Sequence, residues 1–147
     1  MNEVTMQASW LPWAVLSAVF AALTAIFAKV GLEGVDSDFA TLIRTVVIAL
    51  VLGLFVLGAG KWQSVSVIAG RSGLFLVLSA LATGASWVCY YRALKVGEAV
   101  KVAPVDKLSV VLVALFAVVF LGERPAPRDW LGITLVGMGV VLLALKR

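Results

Sequence analysis

At 147 residues, 63% of them hydrophobic, and with a mean hydropathy of +1.10, this chain is far more apolar than a soluble domain, whose apolar share is nearer about 45–50%. Membrane spans of roughly 20 residues consume the length and leave no room within it for a separate soluble domain. The net charge of +4 therefore concerns orientation, lipid head groups or solute and not nucleic acid. The absence of histidine excludes imidazole metal ligands and histidine-based pH sensing, and the single cysteine, Cys89, cannot close an intrachain disulfide. Its apolar surroundings predict a buried packing role.

The sequence predicts transmembrane helices over residues 11–30, 39–57, 73–93, 98–121 and 129–145. The first lacks the basic leader of a signal peptide and is expected to stay as a span, with Trp10 and Trp13 as interfacial anchors and Pro12 in its first turn. Lys29 near its end is placed to snorkel. An acidic turn follows, in which Asp38 is the expected N-cap of the second span, and Arg44 interrupts the apolar run of that span on its second turn, placed either to snorkel to the interface or to face a pocket. Residues 58–72 are polar enough for an interfacial loop with a short surface helix.

The third span turns polar and aromatic in its second half. Thr83, Trp87, Tyr90 and Tyr91 follow i, i+4, i+7, i+8 spacing and share one face, as a membrane belt or as a pocket lining that Ser79 and Ser86 extend. The fourth span carries Ala103-Pro104-Val105-Asp106-Lys107-Leu108-Ser109 at its head. If that helix is continuous it is about 36 Å long and Lys107 lies about 14 Å in, near the bilayer centre. If Pro104 restarts it, Asp106 and Lys107 fall in a first turn, beside unsatisfied N–H groups. The pair either neutralises itself or handles solute and protons, and adjacent helical residues, pointing about 100° apart, are expected to pair poorly. In the fifth span Gly132 and Gly139 sit one heptad apart and, with Gly137, predict close helix packing or dimerisation.

An odd number of spans puts the termini on opposite sides. Lys61, Arg71, Arg124 and Arg128 gather on one, and Lys29, Arg44, Arg92, Lys95, Lys101, Lys146 and Arg147 on the other, which leans toward a cytoplasmic C-terminus. Arg44, Arg92, Lys101 and Lys107 are thereby expected to ring one vestibule. No histidine-based nucleophile, phosphate-cradling glycine loop or paired-carboxylate motif is present, so the sequence predicts neither an enzyme nor a cofactor.

The segment from Ala103 to Ser109, the apolar run to Phe120-Leu121-Gly122-Glu123-Arg124, and Trp130-Leu131-Gly132 with the residues from Gly137 to Leu142 resemble the EamA domain of the drug/metabolite transporter superfamily. Ser86-Trp87-Val88-Cys89-Tyr90-Tyr91-Arg92-Ala93-Leu94, Phe27-Ala28-Lys29-Val30-Gly31 and Ile43-Arg44-Thr45 are similar to its short, single-domain subgroup. The resemblance implies an all-α membrane protein made of one five-helix repeat over residues 1–147, where most relatives carry two inverted repeats. Many of them also have a proline nearer the middle of the fourth helix, where this chain has Leu108 and Ser109.

A lone repeat implies a homodimer, and the glycine-containing last helix resembles that of the antiparallel small multidrug resistance dimers. The expectation is a secondary transporter of the bacterial inner membrane, in contact with lipid and not with nucleic acid, that moves a small polar or anionic metabolite by alternating access. Arg44 and Lys107 would attract the anion, Asp106 would couple a proton or bind an amine, and Thr83, Trp87 and Tyr90 would line the path. Gly132, Gly137 and Gly139 would form the dimer interface. The alternatives are export of a cationic drug centred on Asp106, and a membrane subunit that assembles with a partner without transporting.

Overall fold

The computed structural model describes residues 3–64, 68 and 70–145, with side chains from residue 10 onward. They form α1 (Glu3–Gly31), α2 (Ser37–Gly58), α3 (Arg71–Val96), α4 (Ala99–Asp106), α5 (Leu108–Phe116) and α6 (Pro127–Ala144), with a π-helical turn, Ala117–Leu121, after α5 and no strand among the described residues. Five helical stretches are long and apolar enough to cross a membrane: Trp10–Gly31, Ser37–Gly58, Arg71–Val96, Ala99–Leu121 and Pro127–Ala144. Large apolar side chains are mostly exposed along them, Leu54 at 70% and Phe120 at 76% among many. Such a surface suits hydrocarbon, where helices satisfy their own backbone. The protein is an all-α, multi-pass membrane protein. Part of the predicted interfacial segment, residues 65–67 and 69, and the basic pair Lys146 and Arg147 lie outside the described residues.

Several details depart from expectation for local reasons. Because α1 begins at Glu3, Pro12 lies inside the helix and not in its first turn. Cys89 is exposed on α3 and not buried, since most of that helix is uncovered within the chain. The N-cap of α2 is Asp36 and not Asp38: its Oδ1 accepts from the backbone N–H groups of Asp38 at 2.9 Å and Phe39 at 3.0 Å. An aspartate two residues ahead of the first free N–H groups reaches both, which releases the Asp38 carboxylate for another partner. Asp36→Ala is expected to lower stability in detergent by about 1 kcal/mol, the usual worth of an N-cap, read as a fall in unfolding temperature.

The chain divides into two compact units, one being Phe27–Val96 and the other the flanking segments up to Ile26 and from Gly97. In the first, α2 and α3 pack antiparallel, and their register is pinned at one end by Arg92, whose Nε and Nη2 donate to Asp38 at 2.9 and 2.6 Å. The ends of α1 and α3 are tied reciprocally. Lys29 Nζ donates to the Leu94 carbonyl at 2.6 Å, and Lys95 Nζ donates to the carbonyls of Leu32 and Val35. The Leu94 carbonyl lies in the last turn of α3, where carbonyls have no partner within their helix and carry the negative end of its dipole, so an ammonium group is its natural complement; those of Leu32 and Val35 belong to the turn that follows α1. Lys29 thus serves as a tie between helix ends, and its predicted snorkelling is replaced by a bond to completely buried Leu94.

In the second unit α4 and α5 both pack on α6. The fourth span is neither continuous nor restarted at Pro104. Pro104 lies inside α4, and the helix yields three residues later, at Lys107, where Lys107 N–H bonds to Pro104 O at 2.9 Å and Val110 N–H to Lys107 O at 3.0 Å. These are i to i−3 bonds, a tightened turn in a ladder that the missing proline N–H has already weakened. At its other end the span widens into the π turn, which stops at Gly122. The left-handed conformation of that glycine (φ 69°) returns the Glu123 N–H to Ala117 O at 3.2 Å. The Gly-Glu pair is therefore a helix terminator. Pro127 then opens α6, and Asp129 Oδ2 accepts from the Ala126 N–H at 2.8 Å, the backward half of a capping box.

Candidate solute site

Arg44 projects from the second turn of α2, and α3 runs past it in the opposite direction. With Asp38 clamped to Arg92, the stretch of α3 just before Arg92 passes Arg44. Trp87 and, one helical turn nearer Arg92, Tyr91 meet it there, the guanidinium carbon lying 4.2 Å from the Trp87 ring centroid and 5.4 Å from that of Tyr91. A cation over aromatic faces is stabilised by about 0.5–2 kcal/mol, more as water is withdrawn. Tyr91 is 5% exposed, while Arg44 and Trp87 are half-buried. Among the described residues Arg44 has no carboxylate or carbonyl partner. Its donors remain accessible, because no buried side-chain nitrogen or oxygen among those residues lacks a partner.

The sequence stripe placed all of these rings on one face but favoured Tyr90 for the site. At about 100° per residue, Tyr91 lies about 40° from Trp87 and Tyr90 about 60° away on the other side, so a guanidinium seated on Trp87 leans to Tyr91. Tyr90 packs its ring against Tyr91 instead, at 6.4 Å between centroids. Thr83 is exposed one turn further along, and its hydroxyl donates to the carbonyl of Ser79 at 2.9 Å. The i+4 spacing of Trp87 and Tyr91 was the signal that pointed to the second ring.

The expected ring of free cations is largely engaged elsewhere. Arg92 is bidentate on Asp38, Lys29 and Lys95 hold helix-end carbonyls, and Lys101 pairs with Glu98 at 2.8 Å. Lys107 and Asp106 also pair, at 3.1 Å, against the expectation for neighbours on a helix. The pair stands where the helical ladder tightens, at Lys107. Asp106 is half-buried and Lys107 exposed.

The three glycines of α6 have separate roles. A methyl at Gly137 would lie 3.3 Å from Cγ2 of Val111, so Gly137 is the point where α5 approaches α6 within the chain. Among the described residues nothing lies within 4 Å of a methyl at Gly132 or Gly139, which are exposed and point roughly opposite to Gly137. The groove beside Gly137, about 520 Å³ and walled by Val111, Trp130, Ile133, Met138 and Val141 with Thr134 as its polar member, has no charge to offer a polar solute.

The profile of the EamA-like transporter family matches residues 8–145. The chain belongs to that family. A Sinorhizobium protein named as an uncharacterized transporter in the cobO 3' region is 59% identical over 139 residues, covering 95% of this chain and 99% of the relative. No solved structure matches. Family and relative point to a membrane transporter rather than an enzyme. As a member of the EamA-like transporters, the chain handles small-molecule solutes and lies in lipid.

Proposed function

We propose that the protein is a secondary transporter of the bacterial inner membrane that moves a small anionic metabolite by alternating access as a homodimer. The observation that carries this reading is Arg44, a permanent cation inside a membrane span that rests on Trp87 and Tyr91 and has no acid among the described residues. A charge inside a span is costly, up to about 2.5–3.5 kcal/mol at the helix centre, and is met by an anionic partner or by water. The same geometry speaks against a cationic drug, because Arg44 already holds the aromatic faces that a drug cation would need.

In this reading Arg44 binds the anion, and Trp87, with Thr83 and Tyr90 on the same helical face, lines its path. Asp106 and Lys107 at the break in the fourth span act as a charge pair that protons or solute exchange during the cycle. The chain is read as one repeat, a reading supported by its covering 99% of the relative's length. An inverted-repeat pathway lies between two repeats, so a second copy completes it. Gly132 and Gly139, open toward a neighbour, supply the close-packing face of the dimer. Gly137, included in that interface on sequence grounds, serves instead the packing of α5 on α6.

Purified protein reconstituted in liposomes is expected to move labelled organic anions and not ethidium. Ethidium flux without anion flux would replace this reading with drug export. Absence of any flux, together with a copurifying protein, would favour the non-transporting subunit.

A further inference from the structure

We infer that the solute is a monoanion carrying a single planar carboxylate, held edge-on by Arg44 against the Trp87 and Tyr91 rings. The inference rests on the anion-transport reading and adds to it the charge class of the solute. It follows from the way the cations are matched. Arg92 has Asp38, Lys101 has Glu98 and Lys107 has Asp106, each within salt-bridge distance. Lys29 meets the Leu94 carbonyl at the negative end of α3, and Lys95 meets the carbonyls of Leu32 and Val35 in the turn after α1. Arg44 alone in this set has aromatic faces in place of an acid or a carbonyl. The unmet demand is therefore one positive charge, and its carrier cannot lose a proton in a protein.

The shape of the demand is equally defined. A guanidinium is planar, and rings approaching within 4.2 and 5.4 Å of its carbon leave its N–H groups as accessible donors. Two parallel N–H groups match the two oxygens of one carboxylate; they also match two oxygens of a phosphate, but a phosphate dianion brings a second negative charge that the single guanidinium does not offset. One carboxylate brings the site to neutrality. A dianion leaves it at −1, a penalty of the same kind as a lone charge in a span. Tyr91, buried and in ring contact with Tyr90, acts as a positioning residue that keeps the guanidinium on Trp87.

Matched dicarboxylates and their monomethyl esters on aliphatic, hydroxylated and aromatic skeletons test the charge count in proteoliposomes near pH 7.5, with protein-free liposomes as background. The monoesters are expected to move at least tenfold faster than the parent dianions, and Arg44→Gln to abolish the difference. Tyr91→Phe is expected to retain the preference and Tyr91→Ala to weaken it through KM. Equal or faster movement of the dianions, still dependent on Arg44, would overturn the monoanion assignment and leave anion transport standing. If no anion moves while ethidium does, both fall together.

Discussion

Replacement of Arg44 by alanine is expected to lower anion transport between about tenfold and hundredfold, with the protein still folded. A charge-assisted, bidentate contact contributes about 1.5–3 kcal/mol, which converts to that range. The retained fold is the informative half of this result. Truncating a partner in an ion pair strands the other charge, but Arg44 has no acid to strand among the described residues; only its stacking on Trp87 and Tyr91 is lost. Arg44→Lys is expected to restore little, because an ammonium is a point charge that neither stacks as a plane nor presents a fork. Initial rates in proteoliposomes, with unfolding temperatures in detergent, check both halves. Wild-type flux in Arg44→Ala would remove the guanidinium from the solute path.

Gly137→Leu and Gly139→Leu are expected to fail in different ways although the positions are two residues apart. At Gly137 even a methyl meets Val111 at 3.3 Å, so an isobutyl group must push α5 away from α6. Overpacking of this kind costs about 1–3 kcal/mol, and the unfolding temperature of the protomer falls accordingly. At Gly139 the space is open within 4 Å among the described residues, so the protomer is expected to keep its stability and any loss to appear in association with a second copy. Thermal unfolding reads the first effect, and crosslinking in the membrane the second. The reverse outcome, a stable Gly137→Leu dimer and an unfolded Gly139→Leu protomer, would exchange the two assignments.

Much of this protein is visible in single stretches of sequence. The apolar runs that become α1, α2, α3 and α6 are long because every backbone group in lipid must be satisfied inside its own segment, which makes hydropathy a local and additive signal. The Gly-Glu after the fourth span and the Pro at the start of α6 are legible for the same reason, since each terminates or opens a helix by its own dihedral preference. Asp36 was within reach too, but two acids stood close enough to α2 to cap it, and only the backbone geometry chose between them.

The site itself was legible only in part. Arg44 and Trp87 stood out as a charge and a ring within apolar spans, and Tyr91 shared the stripe. Their meeting depends on the register of α2 against α3, which is set by Asp38 and Arg92, far apart in sequence. The same applies to Lys29 and Lys95, whose partners are backbone carbonyls that no composition or spacing reveals. It applies to the break at Lys107, where a weakened ladder had to choose one turn among several in which to yield.

By itself, then, the sequence determined an all-α protein with five membrane-length helices, its family, and the short set of residues with chemistry to offer. The tertiary structure decided which cations are matched, which ring joins Arg44 and which glycine faces a neighbouring helix. Hydropathy and dihedral preference act within a turn or a span, whereas pairing is settled by how distant helices align.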